Sequence, residues 1–178
     1  MTHRTVRFAR IAGGCLVLAS LSAWHGVVAG EAQPAQEARE AMLAVLPYVD
    51  VVFPSHPEET KALSSLDSKA DIIEFFKSKG AHTVALKCGD EGAWVGTHEG
   101  IGTVPPVAPL GVSDTTGAGD AFVGTFLHCL LQGRDAFEAT RWGVVAAGLT
   151  TGGRGAILSQ PDPDEILKYL GAVRIQRV

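Results

Sequence analysis

The sequence predicts an α/β protein with a largely parallel sheet, and three observations lead to that fold class. Short apolar runs typical of buried strands alternate with segments whose apolar residues recur at helical spacing. The lengths between them match β-α units, which bring parallel strands side by side. The chain has 178 residues, 46% of them hydrophobic, so one domain with a substantial core is expected.

The first half of the predicted fold alternates helices and strands. Proline and glycine bound most of these elements, because proline interrupts regular hydrogen bonding and glycine accepts the left-handed turn that ends a helix. Ser68 is a good N-cap for the helix that carries Ile72 and Phe76 on one apolar stripe. The predicted order is a helix over 36–46, a strand over 49–53, a short helix over 58–64, a helix from Ser68 to Gly80, and a strand over 82–86.

The second half is predicted to contain a two-stranded meander followed by three helices. The helix that ends before Gly133 is apolar on nearly every face, which predicts that it is buried. Asp162 is expected to cap the last helix. The predicted order is strands over 92–95 and 102–104, then helices over 117–131, 135–150 and 163–170.

Charge and cysteine content exclude some functions. The net charge is -4, and without residues 1–31 the chain keeps 12 basic and 18 acidic residues, so general nucleic-acid binding is not expected. Cys15, Cys88 and Cys129 are far apart and form no zinc-binding pattern. We expect free, buried thiols, with a reactive thiol at Cys88 as the alternative.

Residues 1–33 differ from the rest of the chain. A basic start, a short apolar run and small residues follow one another, which is the pattern of a secretory signal peptide. Three interpretations stay open: a segment foreign to the fold, a true signal, or a genuine part of the fold. No other stretch is apolar for long enough to suggest a membrane span.

The segment DTTGAGDAF, residues 114–122, carries the chemistry. Glycines 117 and 119 lie where the chain turns into a helix, so several backbone N–H groups can converge on an anion such as phosphate. Asp120, one residue further, could accept a proton from an attacking hydroxyl. The alternative is a plain capping box in which Thr116 and Asp120 only start the helix.

This segment resembles the second signature of the ribokinase-like (PfkB-type) carbohydrate kinases, and the resemblance extends from about Arg39 to Leu170. Four further pieces match the family's pattern. They are DVVFPSHPEE, TVALKCGDEGAW, VPPVAPLGVSDTTGAGD and GGRGAILSQP. The resemblance implies a three-layer sandwich with a mostly parallel sheet. It also implies that residues 34–178 are the nucleotide-binding part, without the family's N-terminal half and lid.

Residue by residue, the resemblance implies that Asp120 is the base for the sugar hydroxyl. Gly117, Ala118 and Gly119 would form the anion hole for the transferred phosphoryl group. Lys87, Gly89 and Gly92, together with Gly119, would border ATP.

The same resemblance implies which residues would bind metal ions. Glu58 would organise Mg²⁺ through water, because this ion prefers oxygen ligands and usually keeps several of its water molecules. Asp114 and Thr116 match positions that bind a monovalent cation such as K⁺. The chain departs from the family at Ser55, where asparagine is common, and at Lys87, where threonine is frequent.

The expected function is ATP-dependent phosphorylation of a sugar or sugar acid, and Lys87 with PSHPEE favours 2-keto-3-deoxygluconate. The alternative is an inactive nucleotide-binding fragment without a sugar site. We expect a cytoplasmic protein, or an exported one if the first segment is a genuine signal. Sugar and ATP are the expected partners, with homodimers in full-length relatives and no nucleic acid or membrane contact by the body of the chain.

Overall fold

The computed structural model describes residues 18–19 and 32–178, and the chain divides into two compact units, residues 1–86 and 87–178. Most of the signal-like segment predicted over 1–33 lies outside the described residues, and so does Cys15. Among the helices of the described ranges, none has the length and apolar character needed to cross a membrane.

The first unit contains parallel strands and three described helices. Strand β1 pairs with β2, and β2 pairs with β3, both in parallel. Val52, Val84 and Ile73 belong to its buried core. The elements are β1 (Leu18–Ala19), α1 (Ala32–Val45), β2 (Val51–Phe53), α2 (Glu58–Ser64), α3 (Lys69–Ser78) and β3 (Thr83–Lys87).

Two boundaries in this unit differ from the sequence prediction. Helix α1 begins at Ala32, four residues before the predicted start at 36. Strand β2 begins at Val51 rather than at the predicted Val49, because residues Leu46–Tyr48 form a 3₁₀ turn. The Val49 amide closes that turn on the Leu46 carbonyl at 3.1 Å and is therefore outside the strand. The predicted Ser68 cap is confirmed, since its hydroxyl accepts the Asp71 amide.

The second unit contains an antiparallel meander and three helices. Strand β4 pairs with β5, which confirms the predicted meander, and β5 also pairs with a short exposed strand, β6, that the sequence analysis did not predict. Strand pairing is therefore mixed: parallel in the first unit and antiparallel in the second. The elements are β4 (Ala93–Thr97), β5 (Gly100–Val104), α4 (Ala118–Leu131), α5 (Ala136–Thr150), α6 (Pro163–Leu170) and β6 (Gln176–Arg177).

Helices α4 and α5 pack closely against each other. A Cβ on Gly143 would lie 2.8 Å from the Phe122 ring, so the two helices approach at a position that only glycine permits. The prediction that α4, which is apolar on nearly every face, is a buried helix is wrong for one face. Leu131 is 68% exposed, because the side of α4 turned away from α5, which includes Gly124 and His128, meets solvent.

The predicted Asp162 cap and the predicted burial of two thiols are confirmed in this unit, and Asp135 is a further cap that was not predicted. The Asp135 carboxylate accepts the Glu138 amide at the start of α5, and Asp162 forms a capping box with Glu165 at the start of α6. Cys88 and Cys129 are buried, and neither forms a disulfide bond within the described residues. Burial raises the pKa of the Cys129 thiol, which opposes its reactivity.

Candidate active site

The turn that opens α4 requires glycine at position 117 for two reasons. Gly117 has φ +82°, and a Cβ there would lie 2.8 Å from the Cα and the Cβ of Ala156. It is the N-cap of α4 and supplies no side-chain hydrogen bond, so the capping-box alternative with Thr116 is wrong. The start of α4 is thus built from backbone, as an anion-binding turn requires.

Lys87 ends beside this turn. A Cβ on Gly119 would lie 3.6 Å from the Lys87 Nζ, so the ammonium is next to the first turn of α4. The absence of a side chain at Gly119 leaves that approach open. The positive end of a helix dipole and an ammonium together favour an anion at this point.

Asp120 is the third residue of α4, and its side chain is exposed. Within residues 32–178, no hydrogen bond or ion pair occupies its carboxylate. A carboxylate that is accessible and not held by a protein donor can reach a substrate hydroxyl. The structure therefore places Gly117, Gly119, Asp120 and Lys87 close together at the start of α4, and their roles in catalysis and binding stay predictions.

Asp114 lies a few residues before the turn and contacts two segments of the chain. Its Oδ1 accepts the Thr116 amide at 2.9 Å, and its Oδ2 accepts the Gly155 amide at 2.9 Å. The Thr116 side chain, these two amides and the charge of Arg154 lower the pKa of Asp114 to about 2. Asp114 is therefore a carboxylate at any pH near neutrality.

The same contacts bear on the predicted monovalent cation site. The Thr116 side chain and two amides already donate to a carboxylate that has about four acceptor positions. These donors occupy part of the acceptor capacity of the Asp114 carboxylate, so a cation there would have to use the remainder. The K⁺ site stays a prediction, and the Asp114 carboxylate is already hydrogen-bonded to Thr116 and Gly155.

In the first unit, the two glutamates at the start of α2 have separate environments. Glu59 is buried, and its Oε2 accepts the Ser55 amide at 2.8 Å. Glu58 is exposed. Mg²⁺ commonly keeps several waters and takes only one or two carboxylates together with substrate phosphates, so a single exposed Glu58 is a suitable ligand.

The glycines predicted to border ATP differ in what requires them. Gly92 has φ +85°, and a Cβ there would lie 2.2 Å from the Val104 carbonyl oxygen, so packing against the end of β5 already requires glycine. Gly89 has φ +54° with open space around it. A nucleotide contact at either position stays a prediction.

Sequence reasoning missed two residues of the site, Gly155 and Ala156. They contact Asp114 and Gly117 across about forty positions of sequence. The GGRGA segment was noticeable, but no local pattern indicates which of its amides would meet Asp114. Arg154, in the same loop, is exposed.

A model of the pfkB family of carbohydrate kinases matches residues 24–163. The chain belongs to this family. The match includes both the α4 turn and the start of α2, so the two candidate groups of residues lie in a region that the family shares.

Individual relatives are sugar kinases. The chain is 33% identical over 136 residues to a 2-dehydro-3-deoxygluconokinase from Thermoproteus tenax, covering 76% of this chain and 42% of that protein. It is 32% identical over 138 residues to a 2-dehydro-3-deoxygalactonokinase from Haloferax volcanii, covering 75% and 42%. The chain thus spans less than half the length of these curated relatives.

Solved structures show the ribokinase-like α/β fold. A ribokinase II candidate from E. coli, solved in complex with ATP and Mg²⁺, has a TM-score of 0.70 at 28% identity, covering 78% of this chain and 44% of that one. A ribokinase from Thermotoga maritima has a TM-score of 0.67 at 28% identity, covering 72% and 44%.

Proposed function

We propose that this chain carries the phosphoryl-transfer centre of an ATP-dependent carbohydrate kinase. The observation that supports this most directly is the exposed Asp120 carboxylate, which no described residue engages, on a glycine turn beside the Lys87 ammonium. A base next to an anion-binding turn is what transfer of a phosphoryl group to a hydroxyl needs.

In the proposed reaction, Asp120 accepts the proton of a sugar hydroxyl as that oxygen attacks the γ-phosphorus of ATP. The new O–P bond forms while the bond to the β-phosphate oxygen breaks, and ADP leaves with that electron pair. Backbone N–H groups of residues 117 and 119 and the Lys87 ammonium stabilise the charge on the phosphoryl oxygens. The Ala118 amide donates to the Thr115 carbonyl at 3.2 Å and would have to share its hydrogen with the phosphoryl group. Catalysis then depends on position and electrostatics.

Glu58 would hold Mg²⁺ through water. When bound, this ion neutralises phosphate charge and orients the phosphates. A monovalent cation at Asp114 and Thr116 would have to use the acceptor capacity that the present contacts leave, so K⁺ is the less supported of the two.

We propose a 2-keto-3-deoxy sugar acid, such as 2-keto-3-deoxygluconate, as the substrate class. The names of the two relatives and the lysine at position 87 support this choice. The second candidate is a nucleotide-binding fragment without turnover, because the chain spans less than half of those relatives. The use of ATP also supports a cytoplasmic location.

The Asp120→Asn variant tests the proposal. Loss of the base should lower kcat by about 10²–10⁴-fold while the Kd for ATP stays within about twofold. The measurements are a coupled kinase assay with 2-keto-3-deoxygluconate and calorimetric titration with Mg²⁺ and ATP.

Asp164→Asn is the matched control, because Asp164 is also an exposed acid in the first turn of a helix, α6. It should leave both quantities unchanged. Turnover that survives Asp120→Asn would remove Asp120 from the mechanism. ATP binding without turnover in the unmodified chain would support the fragment instead.

A further inference from the structure

The loop of residues 153–159 is joined to the turn that opens α4 by contacts of different kinds. The Ser113 and Asp114 amides donate to the Thr151 carbonyl, just before the loop, at 2.7 and 3.2 Å. The Asp114 Oδ2 accepts the Gly155 amide within it. Ala156 occupies the space where a Cβ of residue 117 would lie. The loop and the turn are therefore packed against each other and connected by hydrogen bonds.

Asp114 is the side chain that connects the 153–159 loop to the turn that opens α4. One carboxylate oxygen bonds the turn through Thr116, and the other bonds the loop through Gly155, a residue 41 positions away. Hydrogen bonds to an ionised group are stronger than neutral ones. Most of the loop is exposed, including Ile157 and Leu158, so apolar burial contributes little to its position.

We infer that Asp114 is a positioning residue, whose carboxylate ties the 153–159 loop to the Gly117 turn and thereby sets the direction of the first-turn amides of α4. Its role in the reaction rests on the proposed function, because those amides are the proposed anion hole. Asp114 itself contacts no reacting atom in this scheme. It acts through the Gly117 turn, which packs on the loop that Asp114 holds.

Asp114→Asn is the informative variant because it removes the acceptor of the Gly155 amide while an acceptor for the Thr116 amide remains. The asparagine oxygen can still accept the Thr116 amide, but its NH₂ group then faces the Gly155 N–H, which is also a donor. Amide hydrogen exchange should show protection at Gly155 falling by about tenfold or more. Protection of residues 118–121 should fall with it, while that of α3 stays unchanged.

Asp114→Ser is a second variant, because serine can keep the short turn to Thr116 but does not reach Gly155. It should reproduce the exchange pattern of Asp114→Asn. Asp135→Asn is the control: Asp135 caps α5 with a single accepted bond, which asparagine replaces well, so loop exchange should not change. Unchanged protection at Gly155, or a loss there that leaves residues 118–121 protected, would overturn the inference.

A kinetic readout separates positioning from general destabilisation. If the chain turns over, Asp114→Asn should lower kcat while the KM for ATP stays within about threefold, since the amides act on the transition state. A higher KM with unchanged kcat would contradict a positioning role. If the unmodified chain shows no turnover, the proposed function fails, and the exchange result still decides whether Asp114 couples loop and turn.

Discussion

Two neighbouring glutamates, Glu58 and Glu59, lie in different environments, and only one of them is accessible to the proposed metal ion. Glu59 is buried and accepts the Ser55 amide, so it stabilises the start of α2. Glu58 is exposed and remains accessible to a hydrated ion. The two residues are of the same type, but burial restricts Glu59 to a structural role and leaves Glu58 accessible.

Alanine substitutions at the two positions should therefore have different effects. Glu59→Ala leaves a backbone donor without its acceptor and should lower the free energy of unfolding by about 1–3 kcal/mol. Glu58→Ala should change it by less than about 0.5 kcal/mol but raise the Mg²⁺ concentration needed for half-maximal ATP binding. Urea unfolding and Mg²⁺ titrations measure the two effects. A stability loss confined to Glu58→Ala would contradict this assignment.

At the scale of elements, α5 determines how the chain reaches the α4 turn. A Cβ on Gly148 would lie 1.6 Å from the Val107 carbonyl oxygen, and one on Gly152 would lie 2.7 Å from the Leu110 Cβ. The proline-rich segment 105–110 therefore runs in close contact with the end of α5. That contact leads the chain toward Asp114.

Alanine substitutions in the two helices test this packing. Gly148→Ala should lower the free energy of unfolding by about 1–3 kcal/mol or more, because the new methyl group overlaps backbone atoms that have no rotamer to change. Gly124→Ala in α4 is the control: nothing lies within 4 Å of its Cβ position, so it should stabilise the chain by about 0.5–1 kcal/mol. Denaturant unfolding measures both. Equal effects would mean that segment 105–110 does not pack on α5.

At the scale of the whole molecule, the net charge of -4 repels anions, whereas the Lys87 ammonium and the α4 turn attract them locally. ATP is an anion, so the proposed binding of ATP would depend on the Lys87 ammonium and the α4 turn rather than on the field of the whole chain. The proposed use of ATP also predicts where the chain is found.

Cell fractionation with N-terminal sequencing checks the cytoplasmic proposal. The chain should be recovered in the cytoplasmic fraction with residues 1–31 still attached. Recovery outside the cytoplasm with a mature start near residue 31 would instead establish the first segment as a signal peptide, as its pattern alone suggests.

Local features of this fold could be predicted because they depend on neighbours in sequence. The cap at Asp162, the meander and the glycine turn of α4 each follow from a few adjacent residues. The exposure of Leu131 could not, since an apolar helix does not indicate which of its faces lacks a partner.

The sequence by itself determined the α/β class, the meander and the caps at Ser68 and Asp162, because backbone geometry and residue spacing encode them. The phosphate-binding role of DTTGAGD stays a prediction from the same kind of pattern. Tertiary structure alone decided that Lys87 ends at Gly119, that Asp114 holds Gly155, and which of Glu58 and Glu59 is buried. The physical reason is that these contacts depend on how packed elements meet. A carboxylate takes whichever donor packing brings to it.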